Sequence, residues 1–252
     1  MNQPPASALP RAAGPAAAAG PPAPAASVAW LFDVDGTLLL TGGASREAFA
    51  AALAERCGIA DDLATIAFAG RTEPLILADV LARHGLVFDA EEEARFWQAV
   101  FAHMRRLLVP GRGGLLPGVT ELLRTVAAEP RWAAGLLTGN MSEMARIKLG
   151  HYSLAGYFAF GAFGEQAPDR DALACGAVAR IERTLGVPAA RCVVVGDTEH
   201  DVACARAAGA RVVAVASGGV PRERLARSAP DLLLDSLEQR DTLLAWVRAL
   251  EG

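Results

Sequence analysis

Lysine is almost missing from this chain: arginine occupies 23 of the 24 basic positions, and Lys148 is the exception. The basic residues gather into no stripe. With a net charge of -4 and a pI near 5.6, the chain offers no surface for a nucleic-acid backbone, which excludes that class of partner. The four cysteines, Cys57, Cys175, Cys192 and Cys204, form no C-x-x-C pair and have no histidine at zinc-ligand spacing. They read as buried, reduced thiols of a cytoplasmic protein rather than as disulfides. Outside the alanine-proline opening there is no run of roughly 18 apolar residues, so no membrane span is expected. That opening, residues 1–27, carries seven prolines among alanines with Arg11 as its one charged side chain. Repeated proline forbids a continuous helix, so the segment reads as a disordered tail, and it lacks the basic start and bulky apolar stretch of a targeting peptide. A phosphate-cradling G-x-x-x-x-G-K-[ST] loop is absent too; Gly111-Arg112-Gly113-Gly114 is an ordinary loop.

What is present is enough for one large core, since 52% of the residues are hydrophobic. From Val28 a short, unbroken apolar run leads to Asp33, as a strand buried on both faces would. Similar runs are Trp132 to Leu137, Cys192 to Val195, Val212 to Val215 and Leu232 to Leu234. Helical patterns lie between them over Val119 to Ala128, Asp171 to Leu185, Asp201 to Ala208, Arg222 to Arg227 and Leu237 to Leu250. This alternation predicts a three-layer α/β/α core around a Rossmann-like parallel sheet, built from residues 28–40 and 117–252. Residues 41–116 break it. Arg46 to Arg56, Glu73 to Arg83 and Ala90 to Leu108 all read as amphipathic helices, which predicts a helical cap inserted after the first strand, with Gly42-Gly43 and the Pro110 to Gly118 stretch as hinges.

Carboxylates and small polar residues stand where the predicted strands end. Asp33 and Asp35 follow the first strand, one suited to nucleophilic attack and the other to proton transfer, although an Asp-rich turn would look the same. Thr138, Gly139 and Asn140 follow the second, with a hydroxyl and helix-start amides fit for a phosphoryl oxygen; Asn140 with Glu143 also resembles a capping box. Asp197 follows the third and is suited to a hard cation, or to capping a helix. Asp201, four residues on, is placed to orient a metal-bound water or Lys148. Lys148 is singled out by its rarity: a chain that uses arginine elsewhere keeps lysine where a compact ammonium is required, unless it is merely an exposed helical residue. In a parallel sheet all three strand ends share one edge, so these residues converge on one site.

The ordered set Asp33-x-Asp35-Gly36-Thr37, Thr138-Gly139-Asn140, Lys148 and Gly196-Asp197 through Asp201 resembles the haloacid dehalogenase superfamily, in its capped phosphatase branch, over about residues 28 to 235. The resemblance implies that Asp33 attacks phosphorus, that Asp35 protonates the leaving alcohol and later activates water, and that Thr138 with Asn140 holds the phosphoryl group. It also implies Lys148 as the neutralising cation and Mg2+ held by Asp33, the main-chain carbonyl of Asp35, and Asp197. Many relatives place the lysine just before a proline ahead of the last motif. Here that stretch is Ala167-Pro168-Asp169-Arg170, with no lysine. The segment Ala69-Gly70-Arg71-Thr72-Glu73 resembles the substrate-facing cap loop of phosphoglycolate phosphatases, in which Arg71 would meet a substrate carboxylate; a salt bridge from Arg71 to Glu73 or Asp79 is the alternative. The expected partner is therefore a small phosphate ester, handled by a monomer or homodimer. A sugar-phosphate mutase shares the motifs, and a non-catalytic phosphate-binding protein is a further alternative.

Overall fold

The computed structural model describes residues 26–251, so most of the stretch expected to be a disordered tail lies outside the described residues. Ser27, the last residue of that stretch, already belongs to the fold, its N–H donating to the Arg131 carbonyl at 2.7 Å.

Six parallel strands form the main sheet: β1 (Val28–Phe32), β4 (Trp132–Leu137), β5 (Phe160–Ala162), β6 (Cys192–Gly196), β7 (Arg211–Val215) and β8 (Leu232–Leu234), in the order β5-β4-β1-β6-β7-β8. The period-two alternation of β1 feeds both faces. Val28, Trp30 and Phe32 join a cluster with Leu122 and Val126 of α4 (Val119–Ala128) and Leu243 and Val247 of α9 (Arg240–Ala249). Ala29 and Leu31 pack instead with Leu173 and Val178 of α6 (Arg170–Leu185) and Val202 of α7 (Glu199–Ala207). The result is the expected three-layer α/β/α core. The pattern at Arg222–Arg227 forms α8, and the last helical pattern is divided, with a 3-10 turn at Leu237–Gln239 preceding α9.

Residues 41–116 hold α1 (Ala44–Cys57), α2 (Glu73–His84) and α3 (Ala90–Leu107), joined to the core through a two-residue antiparallel pair, β2 (Leu39–Leu40) with β3 (Gly114–Leu115). These helices have their own apolar cluster around Phe49, Leu53, Phe96 and Trp97, with Phe49 edge-on to Phe68, Phe96 and Trp97. Asp89 and Glu92 start α3 with a reciprocal capping box. The helix α5 (Ser142–His151) sits at the junction: Leu149 packs in the sheet-side cluster, while Met144 and Ile147 pack among the inserted helices. Lys148 lies between them in sequence and is thereby carried to the boundary of the two bodies. All four cysteines are free; Cys192 and Cys204 are buried as expected, whereas Cys175 is exposed on the outer side of α6. Among the described residues no helix is long and apolar enough to cross a membrane.

Candidate active site

Strand register assembles the site. Phe32 pairs with Leu136 of β4 on one side and Val195 of β6 on the other, so the residues just beyond, Asp33, Thr138 and Asp197, emerge along one edge. There they line a cavity of about 350 Å3 together with Asp35, Asn140, Lys148 and Arg170, roofed by Phe68, Arg71 and Ile76 from the insertion. This is the small end of the range for ligand sites. Gly36, at φ 86°, turns the chain where a Cβ would strike the Asp197 carboxylate at 2.3 Å.

Two polar clusters divide the floor. In the first, Lys148 is 1% exposed and donates to both carboxylate oxygens of Asp35, at 2.8 and 2.7 Å, and to Oδ1 of Asn140 at 2.5 Å. Nδ2 of Asn140 donates to Asp35 Oδ2 and to Thr138 Oγ1, both at 2.7 Å. The capping-box alternative for Asn140 is thereby set aside: Met141 is the N-cap of α5, and its side chain caps nothing. Lys148 is likewise no exposed helical residue.

In the second cluster the structure differs from expectation. Arg170, in the first turn of α6, donates from Nη2 to Asp201, lies 3.1 Å from Asp33 Oδ1, and is buried. Burial alone would push its guanidinium down, but Asp201 and then Asp33 outweigh that and hold it well above the usual arginine range. Asp201 thus orients Arg170 rather than Lys148, and it also accepts from the Thr198 N–H at 2.9 Å and Oγ1 at 2.7 Å as part of a capping box for α7. Thr198, and not Asp197, is that helix's N-cap. The sequence signal for Arg170 is its place two residues after Pro168, close to where many relatives carry a lysine just before the proline.

Asp33, Asp197 and Asp201 can each bring an oxygen within 4.8 Å of the others. Burial lifts Asp33 first, Arg170 pulls it back, and Asp201 and Asp35 lift it again, to about 6. Asp197 is lifted to about 8 by burial, then by Asp201 and Asp33, with Thr37 Oγ1 donating to it at 3.1 Å in partial relief. Between the pH at which an unfolded aspartate ionises, about 3.9, and these raised values, the folded chain keeps protons that the unfolded chain has released. The two carboxyls therefore contribute stability that is complete at low pH and is lost as pH climbs through about 6 for Asp33 and about 8 for Asp197. Chelator-treated protein is expected to melt at progressively lower temperature from pH 5 to 9, at up to about 1.4 kcal/mol per pH unit per excess proton. Asp197→Asn should flatten the upper half of that profile. An unchanged upper slope in the variant would show that Asp197 does not carry it.

Arg71 lines the cavity, but its guanidinium is paired with Asp79 along α2, which favours the internal salt bridge over the expected contact with a substrate carboxylate. The backbone of this segment matters instead. The Glu73 N–H donates to the Gly139 carbonyl at 2.8 Å, and the buried Glu73 carboxylate accepts the Met141 N–H at 2.8 Å. Burial lifts Glu73 to about 7 although Lys148 opposes the shift. The insertion is thus seated directly on the strand end. A Cβ at Gly139 would lie 2.0 Å from the Arg71 carbonyl oxygen, a backbone atom that can retreat only by moving the loop. Gly139→Ala is expected to unseat it. Amide exchange at Glu73 and Met141 should accelerate, with kcat/KM for a phosphate ester falling by about tenfold or more; unaltered exchange at both amides would contradict this.

The model of the haloacid dehalogenase-like hydrolases matches residues 30–206, which span Asp33 to Asp201. The chain belongs to this family. A second model, for HAD-like hydrolases, matches residues 173–240. Among individual relatives, the phosphoglycolate phosphatase of Cereibacter sphaeroides is 31% identical over 194 residues, which cover 75% of this chain and 84% of that protein. A crystal structure of a predicted phosphoglycolate phosphatase from Haemophilus somnus superimposes with a TM-score of 0.68 at 17% identity, covering 87% of this chain and 98% of the other. A hydrolase from Pseudomonas syringae gives 0.63 at 24% identity, covering 83% and 93%. Those two likenesses speak to the fold. Membership of the hydrolase family rests on the first comparison.

Proposed function

We propose that this haloacid dehalogenase-like hydrolase is a Mg2+-dependent phosphatase of small phosphate monoesters, phosphoglycolate or a similarly small organic phosphate, working through an aspartyl-phosphate on Asp33. The observation that carries the reading is the division of labour on the cavity floor. Asp33 has a carboxylate oxygen beside a guanidinium and no hydrogen bond from Lys148, whereas Asp35 is held on both oxygens by Lys148 and by Asn140. The name of the Cereibacter relative supports the substrate class.

In this reading Asp33 attacks phosphorus while Asp35 delivers a proton to the departing alcohol; Asp35 then takes a proton from the water that attacks the acyl phosphate, returning Asp33 free. Lys148 and Asn140 hold Asp35 in place for both transfers. Thr138, Asn140 and the Gly139 region receive phosphoryl oxygens, and Arg170 offers them positive charge along with Nε, a buried donor without a partner among the described residues. The inserted helices act as a cap over residues 28–40 and 117–252, excluding water other than the attacking molecule.

The residues present fit a divalent cation. Asp33 and Asp197 are carboxyls lifted first by burial and then by neighbouring carboxylates, the condition that a bound cation reverses, and Asp201 is already committed to Arg170 and Thr198. Asp33, Asp197 and the Asp35 carbonyl would hold Mg2+, which when bound supplies charge neutralisation for the phosphoryl group. The free thiols support a reducing, cytoplasmic setting.

Phosphate release from p-nitrophenyl phosphate and from a panel of small phosphate esters tests this. EDTA is expected to lower turnover by about 100-fold or more, and excess Mg2+ to restore it. Full activity in EDTA would remove the metal from the proposal.

A further inference from the structure

Four cations line the cavity, and three of them are spoken for: Lys148 by Asp35, Arg170 by Asp33 and Asp201, and Arg71 by Asp79. The fourth is Arg46, in the first turn of α1. Its guanidinium has no carboxylate partner among the described residues. Its Nη1 donates to the Ile66 carbonyl at 3.0 Å and to the Leu63 carbonyl, and its Cζ sits 4.7 Å from the centre of the Phe68 ring.

These contacts fix the group without neutralising it. Leu63 is fully buried at φ 55°, a left-handed conformation that costs a leucine about 1–2 kcal/mol. It persists in a turn whose carbonyl meets the arginine. Because Nη1 is taken up by the two carbonyls and one face of the plane by Phe68, the edge formed by Nε and Nη2 is left, and that edge makes side-on, two-bond pairs with a carboxylate. An ammonium could not be held on a ring and two carbonyls and still offer such an edge. A half-buried, unneutralised guanidinium is costly to keep, and an anionic ligand group offsets that cost.

We propose that Arg46 is the specificity residue of this site and receives a carboxylate carried on the leaving group of the phosphate ester, the task for which Arg71 is unavailable. The proposal rests on the phosphatase reading for the phosphoryl end of the ligand. It names the other end independently: the substrate carries two anionic groups, one met by the strand ends and one by the insertion.

The test is calorimetric and needs no turnover. In the presence of Mg2+, the full-length protein is titrated with 3-phosphonopropionate, which carries a carboxylate, and with propylphosphonate, which does not. Wild type is expected to prefer the former by about 30-fold or more, the worth of a charge-assisted pair of hydrogen bonds. In Arg46→Gln the ratio should fall to within about threefold. Arg46→Lys keeps the charge and loses the second donor edge, so it serves where the glutamine variant fails to fold; its ratio should fall by at least about threefold. Equal wild-type affinities, an undiminished ratio in both variants, or a preference that is lost in Arg71→Gln and kept in Arg46→Gln would each overturn the assignment. Turnover of p-nitrophenyl phosphate by the wild type, measured alongside, reports on the phosphatase reading by itself. A protein that discriminates the two phosphonates yet releases no phosphate would retain the Arg46 site and lose the hydrolase proposal.

Discussion

Asp33→Asn is expected to lower kcat for any phosphate ester by about 10^4-fold or more while leaving the melting temperature at pH 7 within a few degrees. The two halves of that result have separate causes. An amide cannot form the acyl phosphate, so the covalent route closes entirely and only binding and electrostatic assistance remain. Structurally the exchange is mild: the side chain keeps its shape, its backbone N–H still donates to the Val195 carbonyl at 3.0 Å, and Arg170 retains Asp201. Acid-quenched wild-type protein should show a phosphoryl adduct on the peptide containing Asp33, and the variant none. Residual activity above about 1% in the variant, with no adduct in the wild type, would point to direct attack by water and defeat the covalent mechanism.

The second large effect belongs to Arg170. Arg170→Ala removes the guanidinium from between Asp33 and Asp201, both almost fully buried, and leaves two like charges facing each other without a counter-ion. Breaking a buried ionic group in this way costs about 3–5 kcal/mol, which for a domain of this size lowers the melting temperature by roughly 10 °C or more. Loss of positive charge beside the nucleophile should lower kcat by a further factor of about 10^3. Arg170→Lys keeps the charge but cannot span both carboxylates, so it should recover most of the stability and only part of the rate. If Arg170→Ala retained activity within about threefold while Lys148→Met abolished it, Lys148 alone would be the cation that matters, as the resemblance implies.

Strands buried on both faces were the most legible part of this chain, because burial on both faces leaves a continuous apolar run with sharp ends. β1, β4 and β8 fall where the runs do. The three-residue β5 was not legible: it is an edge strand with Gly161 at its centre, and neither length nor composition sets it apart from a loop. The two-residue β2 and β3 lie below any periodicity. Of the candidate residues, Asp33, Asp35, Thr138, Gly139, Asn140 and Asp197 come together because strand ends in a parallel sheet must share an edge, a rule that needs no side-chain detail, while Lys148 is brought to them by α5. Which carboxylate each cation meets does need it. Arg170 reaches Asp33 only because α6 packs its first turn beneath the end of β1, and Arg71 meets Asp79 only because α2 starts two residues after Arg71 and carries Asp79 in its second turn. Arg46 sits in an amphipathic helical pattern like any other arginine, and nothing in its local sequence announces a ring beneath it or two carbonyls beside it.

The rarity of lysine has a practical side. An amine-directed label or cross-linker finds a single side-chain target in the whole sequence, Lys148, and that ammonium is 1% exposed beneath the inserted helices. Apart from the α-amino group, the folded protein is almost invisible to such reagents. Labelling at Lys148 is therefore expected to be slow in the folded protein and slower still with a ligand in the cavity that Lys148 lines, so its rate reports occupancy of the site without turnover.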